Sequence, residues 1–292
     1  MAYLWLENDH RSMEEHIRRW DAEGAPLTTR TRQHIIPSPY IEDYLRQAGF
    51  FEVSQIGRYK IDRHNVTALV ERWRSETHTF HFRTGECTIT LEDVYILLGL
   101  PFGGPIVTAP PNLPWNNCAQ LLGITPPTHK TDGFTLSLSW LKDNLVDNNF
   151  SEQSPSKVKM QHTRRYLLYL FGGFLFPNTN GLFVHNSWLY LLMDFNETRN
   201  YSWGSAVLAY LYRGLCEASH PNIKALSGCH FLLQVWGYCR LSYIAPRNDN
   251  PLQWPLGLKW TGAGSRYYEN PSHDTISCRI KFDDILEHQV IL

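Results

Sequence analysis

The stretch that decides the fold spans residues 62–101 and reads DRHNVTALVERWRSETHTFHFRTGECTITLEDVYILLGLP. In its first part, Asp62 stands before a run whose apolar residues recur at i, i+3, i+4 and i+7. This spacing places them on one face of an α-helix that Asp62 would cap. The face comprises Val66, Leu69, Val70 and Trp73. We therefore predict a helix here, with Trp73 as an anchor of the core.

A β-hairpin and a second helix follow within the same stretch. Apolar and polar residues alternate at 80–82 and again at 87–89, on either side of the turn residues 83–86, as in two paired strands. Thr90 then precedes Asp93 by three residues, which is the spacing of a capping box at a helix start. The stretch thus predicts a helix–hairpin–helix unit.

Further helices are predicted along the rest of the chain from capping signals and apolar periodicity. The longest begins at Ser154-Pro155, becomes apolar on every side at 166–171 and is expected in the core. A long loop is expected in the proline-rich segment 101–135, with no regular element over 101–127. Residues 275–282 alternate as a late strand.

The fold class that follows is mainly α (α+β): a compact multi-helix domain with a small β-hairpin and a late short strand. Residues 1–33 are expected to form an N-terminal extension with one short helix, ahead of a single globular domain at 34–292.

Composition and charge narrow the class of protein. The chain has 292 residues, with 10 Trp, 15 Tyr and 14 Phe but only 19% charged residues, which favours a packed globule over disorder. Domains that bind nucleic acid through their overall charge are strongly basic, and this chain has a formal net charge of −1. The N-terminal residues carry no secretion signal, which indicates an intracellular chain with free thiols. The longest apolar run, at 166–176, is too short for a membrane span.

A zinc site is the obvious metal hypothesis. Cys216 and His220 are four residues apart, and Cys229-His230 and Cys239 could complete a tetrahedral set. Cys229 and Cys239 lie inside an apolar helix pattern, however, where thiols pack as small hydrophobic groups. We therefore predict no bound metal.

Two strings carry a family resemblance: ALVERWRSETHTFHFRTGECTITLEDVYILLGLP at 68–101 and YSWGSAVLAYLYRGLCEAS at 201–219. They resemble the most characteristic segments of the plant mobile domain. That family occurs in plant transposable elements and in host proteins derived from them, including the MAINTENANCE OF MERISTEMS group and the long-form homologues of phosphatase 7. The resemblance covers the chain from about residue 34 onward.

The resemblance implies a non-catalytic interaction module of plant nuclei. Such a module would act in transposable-element silencing, gene expression control, genome stability and meristem maintenance through protein partners. The implied partners are nuclear proteins, among them a related plant mobile domain protein or a phosphatase 7-like protein, in a homo- or heterodimer. The alternative is a direct DNA-binding domain inherited from a transposable element.

The residues themselves predict no enzyme and no cofactor. Proteins of this family are sometimes described as aminotransferase-like, but the eight lysines stand in polar or boundary contexts, and the glycine pairs lack the strand–turn–helix frame of a phosphate loop. The sequence also contains no G-x-S-x-G elbow and no metallophosphatase motifs.

Two residue sets are candidates for binding. The alternative function would use the basic end of the long helix, which comprises Lys157, Lys159, Arg164 and Arg165. A partner surface shared by the ETH turn at 76–78 and the SWGS helix start at 202–205 would use Arg72, Arg74, Glu76, His78, Ser202, Trp203 and Arg213. The competing interpretation is that these arginines form internal ion pairs with Glu71, Glu76 or Glu217.

Overall fold

The structure, a computed structural model, describes residues 9–23, 25–30, 32, 35–146, 150–262 and 273–286. Within these ranges the helices are α1 (Glu14–Glu23), α2 (Glu42–Ala48), α3 (Phe51–Ser54), α4 (Arg63–Val70), α5 (Leu91–Leu98), α6 (Trp115–Leu122), α7 (Leu138–Asp143), α8 (Ser156–Leu170), α9 (Trp188–Leu191), α10 (Phe195–Asn200), α11 (Trp203–Ala218), α12 (His230–Arg240) and α13 (Thr275–Asp283). The strands are β1 (Thr28–Thr29), β2 (Trp73–Arg74), β3 (Thr79–Phe82), β4 (Gly85–Cys87), β5 (Thr131–Asp132), β6 (Thr135–Ser137), β7 (Phe183–His185) and β8 (Ala225–Leu226).

These elements form a mainly α protein with a little β-structure, as predicted. The strands make three small sheets: β1 pairs with β8 in parallel, and β2-β3-β4 and β5-β6-β7 are antiparallel. None of the helices in the described ranges is both long and apolar enough to cross a membrane.

The helix–hairpin–helix unit forms as its sequence predicts. The Asp62 carboxylate accepts hydrogen bonds from the backbone N–H groups of His64 and Asn65, both at 3.1 Å, and so caps α4. Thr90 and Asp93 form the full capping box of α5. The hairpin gains a third strand, β2, in which Trp73 lies opposite Phe80.

Helix α8 runs through the centre of the molecule. Its residues from His162 to Leu170 are buried on all sides, and it continues into a π-helical turn, Phe171–Leu175. At that turn the Phe171 ring contacts the rings of Phe50, at 5.1 Å, and Trp203, also at 5.1 Å. The all-round apolar pattern therefore identified the core helix correctly.

The late strand prediction is wrong, because residues 275–282 form helix α13. Asp274 caps this helix by accepting a hydrogen bond from the Ser277 N–H at 2.7 Å, and the buried Cys278 and Phe282 are four residues apart on its inner face. A run of eight residues can fit both the two-residue and the 3.6-residue period, so the burial of α13 against α4 decides between them.

The expected loop in 101–135 also needs correction, since it contains α6 and strand β5. Pro114 stands just before the first turn, where the missing N–H costs nothing. The proline-free run that follows buries Cys118 and Leu122 on one face. The density of prolines around this run concealed an ordinary amphipathic helix.

The N-terminal residues pack on the same core. The Arg11 backbone N–H donates to the Ser219 carbonyl at 2.7 Å, and its guanidinium donates to the Ala218 carbonyl at 2.9 Å. His10 bonds the Trp73 carbonyl at 2.8 Å. The described part of residues 1–33 is thus attached to the C-terminal end of α11; the domain boundary at 33/34 stays a prediction.

Trp73→Ala is expected to lower the free energy of unfolding by roughly 3–5 kcal/mol. The Trp73 ring is fully buried, contacts the rings of Phe80 at 4.8 Å and Tyr212 at 5.0 Å, and its indole N–H donates to the Cys216 sulfur at 3.3 Å. Urea unfolding measures the change. Tyr243→Ala, which removes a ring that is 47% exposed, is the control and should change stability by less than about 0.5 kcal/mol. Equal stability of the two variants would show that Trp73 is no core anchor.

Candidate interaction surface

The charged side chains of the E-R-W-R string at 71–74 mainly form hydrogen bonds and ion pairs within the fold. The Arg72 guanidinium donates to the carbonyls of Ala68, at 2.9 Å, and Arg279, at 3.0 Å, and pairs with Asp283 at 2.6 Å. Burial lowers the pKa of Arg72, and Asp283 opposes that shift. The expectation of internal ion pairs thus describes this arginine, but its partner comes from α13.

The two neighbouring charges of the string are also internal. Glu71 is buried and forms two hydrogen bonds with the Arg279 guanidinium, at 2.6 and 2.9 Å. Arg74 donates to the carbonyl oxygens of Glu71, at 3.2 Å, and Trp73, at 3.1 Å, and contacts His10 at 3.0 Å. These groups fasten α13 and the N-terminal segment to the central unit.

The ETH turn lies on the middle of α11. Glu76 and His78 are exposed, and the His78 imidazole stacks on the Tyr212 ring at 5.6 Å. Tyr212 in turn donates to the Ile89 carbonyl at 2.6 Å. Arg213, the next residue along α11, is exposed and pairs with Glu217 of the same helix at 2.8 Å.

The SWGS helix start does not join this turn. Ser202 and Trp203 are buried, and the Trp203 indole N–H donates to the Thr198 carbonyl at 2.7 Å. Ser202 and Tyr212 are ten positions apart, which corresponds to about 15 Å along a helix. The structure therefore does not bring the seven predicted partner-binding residues together on one surface, and Trp203 offers no exposed atoms to a partner.

The four residues predicted to bind nucleic acid differ in their exposure. Lys157 is exposed, and Lys159 is half-buried and donates to the Glu152 carbonyl at 2.7 Å. Arg164 and Arg165 are buried. Arg164 donates to the carbonyls of Leu192, at 2.8 Å, and Met193, at 2.9 Å. These carbonyls end α9, so Arg164 serves as a helix C-cap and is not available to phosphates.

The cysteine and histidine candidates are packed into the fold. Within the described ranges, no group of three or more His, Cys, Asp or Glu side chains could hold a metal ion. Cys229 is fully buried, and this burial raises the pKa of its thiol to about 12. Cys216 accepts the Trp73 indole hydrogen bond. The absence of a bound metal stays a prediction.

Sequence reasoning missed an exposed aromatic cluster, which we call the aromatic patch and define as Tyr95, Phe102 and Trp254. Their rings are 45%, 44% and 44% exposed. The centroid of Tyr95 lies 6.1 Å from that of Phe102 and 5.0 Å from that of Trp254, at interplanar angles of 85° and 58°. Three large rings in contact at a surface are a common sign of an interaction site.

The SWGS start holds one side of the aromatic patch. The Ser202 hydroxyl donates to the Phe102 carbonyl, and the Ser202 N–H donates to the Pro105 carbonyl. The Gly204 N–H donates to the Pro101 carbonyl at 2.7 Å. Gly104 has φ +104°, and a Cβ there would lie 1.9 Å from the Asn200 carbonyl oxygen, so the loop approaches the start of α11 as closely as glycine allows. Ser202 therefore positions Phe102.

The Trp254 side of the aromatic patch is held by a close contact between the segment that follows Trp254 and helix α5. Trp254 precedes a short 3₁₀ segment, Leu256–Trp260, that packs on the end of α5. At Gly257 a Cβ would lie 2.4 Å from the Leu97 carbonyl oxygen, so only glycine fits. One signal in the sequence could have revealed the patch: Tyr95 is an aromatic residue of α5 that lies outside the buried stripe of Val94, Leu97 and Leu98.

Comparison with known proteins identifies the family. A model of the plant mobile domain matches residues 49–292. The chain belongs to the plant mobile domain family. This plant mobile domain is therefore related to transposon-derived proteins, and the resemblance of the strings at 68–101 and 201–219 is confirmed.

Three relatives from Arabidopsis thaliana support this membership. The plant mobile domain described here is 36% identical to the serine/threonine-protein phosphatase 7 long form homolog over 99% of its own length and 22% of that protein. It is 40% identical to MAIN-LIKE 2 over 75% of its length, and 35% identical to MAINTENANCE OF MERISTEMS over 82%. It covers 33% and 50% of those two proteins, which means that it spans half of these relatives or less. No solved structure matches it.

Arg164→Ala is expected to reduce the free energy of unfolding by roughly 2–4 kcal/mol, because it leaves the buried Leu192 carbonyl without its side-chain donor. Urea unfolding tests this. Lys157→Ala, which removes an exposed charge from the same helix, should change stability by less than about 0.5 kcal/mol. The C-cap role would be wrong if Arg164→Ala kept its stability and instead weakened salt-dependent binding to duplex DNA.

The free energy of unfolding should fall as pH drops from about 6.5 to 4. Burial lowers the pKa of His230 to about 4, and that of His10 to about 4 as well, so the unfolded chain binds protons in this window and the folded chain does not. Each pKa shift, once fully expressed, corresponds to about 3 kcal/mol of unfolding free energy.

His230→Gln should flatten this pH slope, measured by urea unfolding at several pH values. The control is His220→Gln, which changes an exposed imidazole. An identical slope in wild type and His230→Gln would contradict the buried, neutral state of His230.

Proposed function

We propose that this chain is a non-catalytic protein-interaction module of plant nuclei. It acts through protein partners in transposable-element silencing, gene expression control, genome stability and meristem maintenance. Membership of the plant mobile domain family supports the nuclear and transposon-related setting. The single observation that carries the interaction role is the exposed aromatic patch, because α5 and the SWGS start, which belong to the two strings that resemble the family, both hold it.

The protonation states of the buried cysteines and of His230 support a structural role for these residues. Burial raises the pKa of Cys87 and Cys118 to about 11 and that of Cys278 to about 12, which keeps these thiols protonated. His230 is neutral and bonds the Leu226 carbonyl at 2.8 Å. Groups in these states stabilise a core better than they serve as nucleophiles or bases.

The partner we propose is a second protein with a plant mobile domain, either a MAIN-like protein or a phosphatase 7 long form homologue. Rings that are nearly half exposed and rigidly held are typical of interface hot spots, since little conformational entropy is lost on binding. The aromatic patch is the surface through which this chain would contact such a partner.

Binding of the full chain to the purified phosphatase 7 long form homolog should depend on the aromatic patch. The double variant Tyr95→Ser with Trp254→Ala is expected to weaken the affinity more than about tenfold, because hot-spot rings contribute 2 kcal/mol or more. Isothermal titration calorimetry measures the affinity, and MAIN-LIKE 2 is tested in the same way.

Tyr243→Ala is the matched control, since it removes an equally exposed ring outside the patch. The interaction proposal fails if neither relative binds, or if the double variant binds as well as the wild type. Hydrolysis of a phosphate ester by the wild-type chain, if a substitution in this chain abolished that activity, would contradict the non-catalytic assignment.

A further inference from the structure

We infer that the aromatic patch binds a proline-rich peptide segment that carries basic residues. This inference rests on the proposed function and specifies the chemistry of the partner at that surface. It is carried by three features of the described residues: the angles between the rings, the rigidity of their support and the charge beside them.

The ring geometry fits proline. Phe102 and Trp254 both contact Tyr95, at interplanar angles of 85° and 58°, so the three rings lie in different planes and form an uneven apolar surface. Proline-rich segments in the polyproline II conformation dock onto surfaces lined with aromatic rings. Such a helix rises about 3.1 Å per residue, so three to four of its residues span the patch.

The rigidity of the patch fits a ligand that is itself preformed. Tyr95 stands on α5, Phe102 is held by Ser202, and Trp254 precedes the segment packed on Leu97. Polyproline II loses little entropy on binding, and neither do rings fixed in this way.

Two acidic residues near the patch, Glu92 and Glu52, have carboxylates that are unpaired among the residues the structure describes. Glu92 is exposed on α5, three residues before Tyr95, and therefore lies on the same side of the helix. Glu52 packs over Gly99, where a Cβ would lie 2.6 Å from that of Glu52 and 3.7 Å from that of Pro255. Neither carboxylate has an ion pair or side-chain hydrogen bond with the described residues.

The exposed Glu92 carboxylate beside the rings, supported by the half-buried Glu52 near Gly99, attracts Lys or Arg and repels phosphate groups. The ligand is therefore a basic proline-rich segment of a partner protein, and nucleic acid is disfavoured at this surface. A cation can also lie on the face of Tyr95 or Trp254, which adds to the preference for a basic peptide.

The test is fluorescence anisotropy with the full chain and three labelled peptides, RAPPAPPAR, RAAAAAAAR and EAPPAPPAE in one-letter code. We expect the first to bind at least about tenfold more tightly than either of the others. Tyr95→Ser and Trp254→Ala should each weaken its binding by about tenfold or more, and Tyr243→Ala should leave it unchanged.

The charge contribution has its own matched pair. Glu92→Gln should weaken binding of RAPPAPPAR severalfold and leave the weak binding of EAPPAPPAE unchanged or stronger. Glu197→Gln, an exposed carboxylate on α10, should change neither.

Each other result overturns the inference in a defined way. Equal binding of the alanine peptide shows a non-specific charge effect, and binding that survives loss of the rings shows a different site. Concentration-dependent dimerisation that Trp254→Ala abolishes shows that the occupant is a second copy of this chain. If no peptide binds but the affinity for the purified relatives still depends on the patch, the proposed function holds and the ligand class is wrong. If neither the peptides nor the relatives bind through the patch, the patch is not an interface.

Discussion

The contact between the rings of Phe171 and Trp203 is the interaction on which the rest of the structure depends. It lies where the central helix α8 ends in its π-helical turn and where α11 begins, and the Phe50 ring packs against both at 5.1 and 4.9 Å. Buried rings of this size contribute a large part of the hydrophobic stabilisation of a domain. By fixing the start of α11, the contact also fixes the loop that carries Phe102, so the core and the exposed aromatic patch are mechanically linked.

Arginine has an architectural role in this molecule. Arg164 donates to the carbonyls that end α9, and Arg11 donates to the Ala218 carbonyl at the end of α11. Arg279 joins α13 to both Glu71 and Asp21. With only 19% charged residues, the chain uses these guanidinium groups at unsatisfied helix ends and in buried pairs. At Arg164, Arg11 and Arg279 the positive charge therefore serves packing within the chain.

Helix α11 connects the two segments that carry the family resemblance. The hairpin unit packs on its middle and C-terminal half through Trp73 and Tyr212, and the loop after α5 packs on its first turn through Ser202 and Gly204. The two segments share a scaffold helix and not a common polar surface. Their most distinctive polar and aromatic residues orient neighbouring backbone, and the exposed rings beside them remain for recognition.

The sequence by itself determined the elements whose signals are local. The Asp62 cap, the Thr90–Asp93 capping box and the hairpin at 79–87 follow from contacts within a few residues. The helix around 166–171 was recognisable because its own residues are apolar on every side. Only the tertiary structure decided the others. Whether 275–282 becomes a strand or a helix depends on α4. Whether Trp203 or Trp254 is exposed depends on residues far from them in the chain, Phe50 and Phe171 for Trp203 and Tyr95 for Trp254. Burial and charge pairing are properties of distant neighbours, so a residue type that is equally suited to a core and to an interface, such as tryptophan or arginine, acquires its role only when the chain has folded.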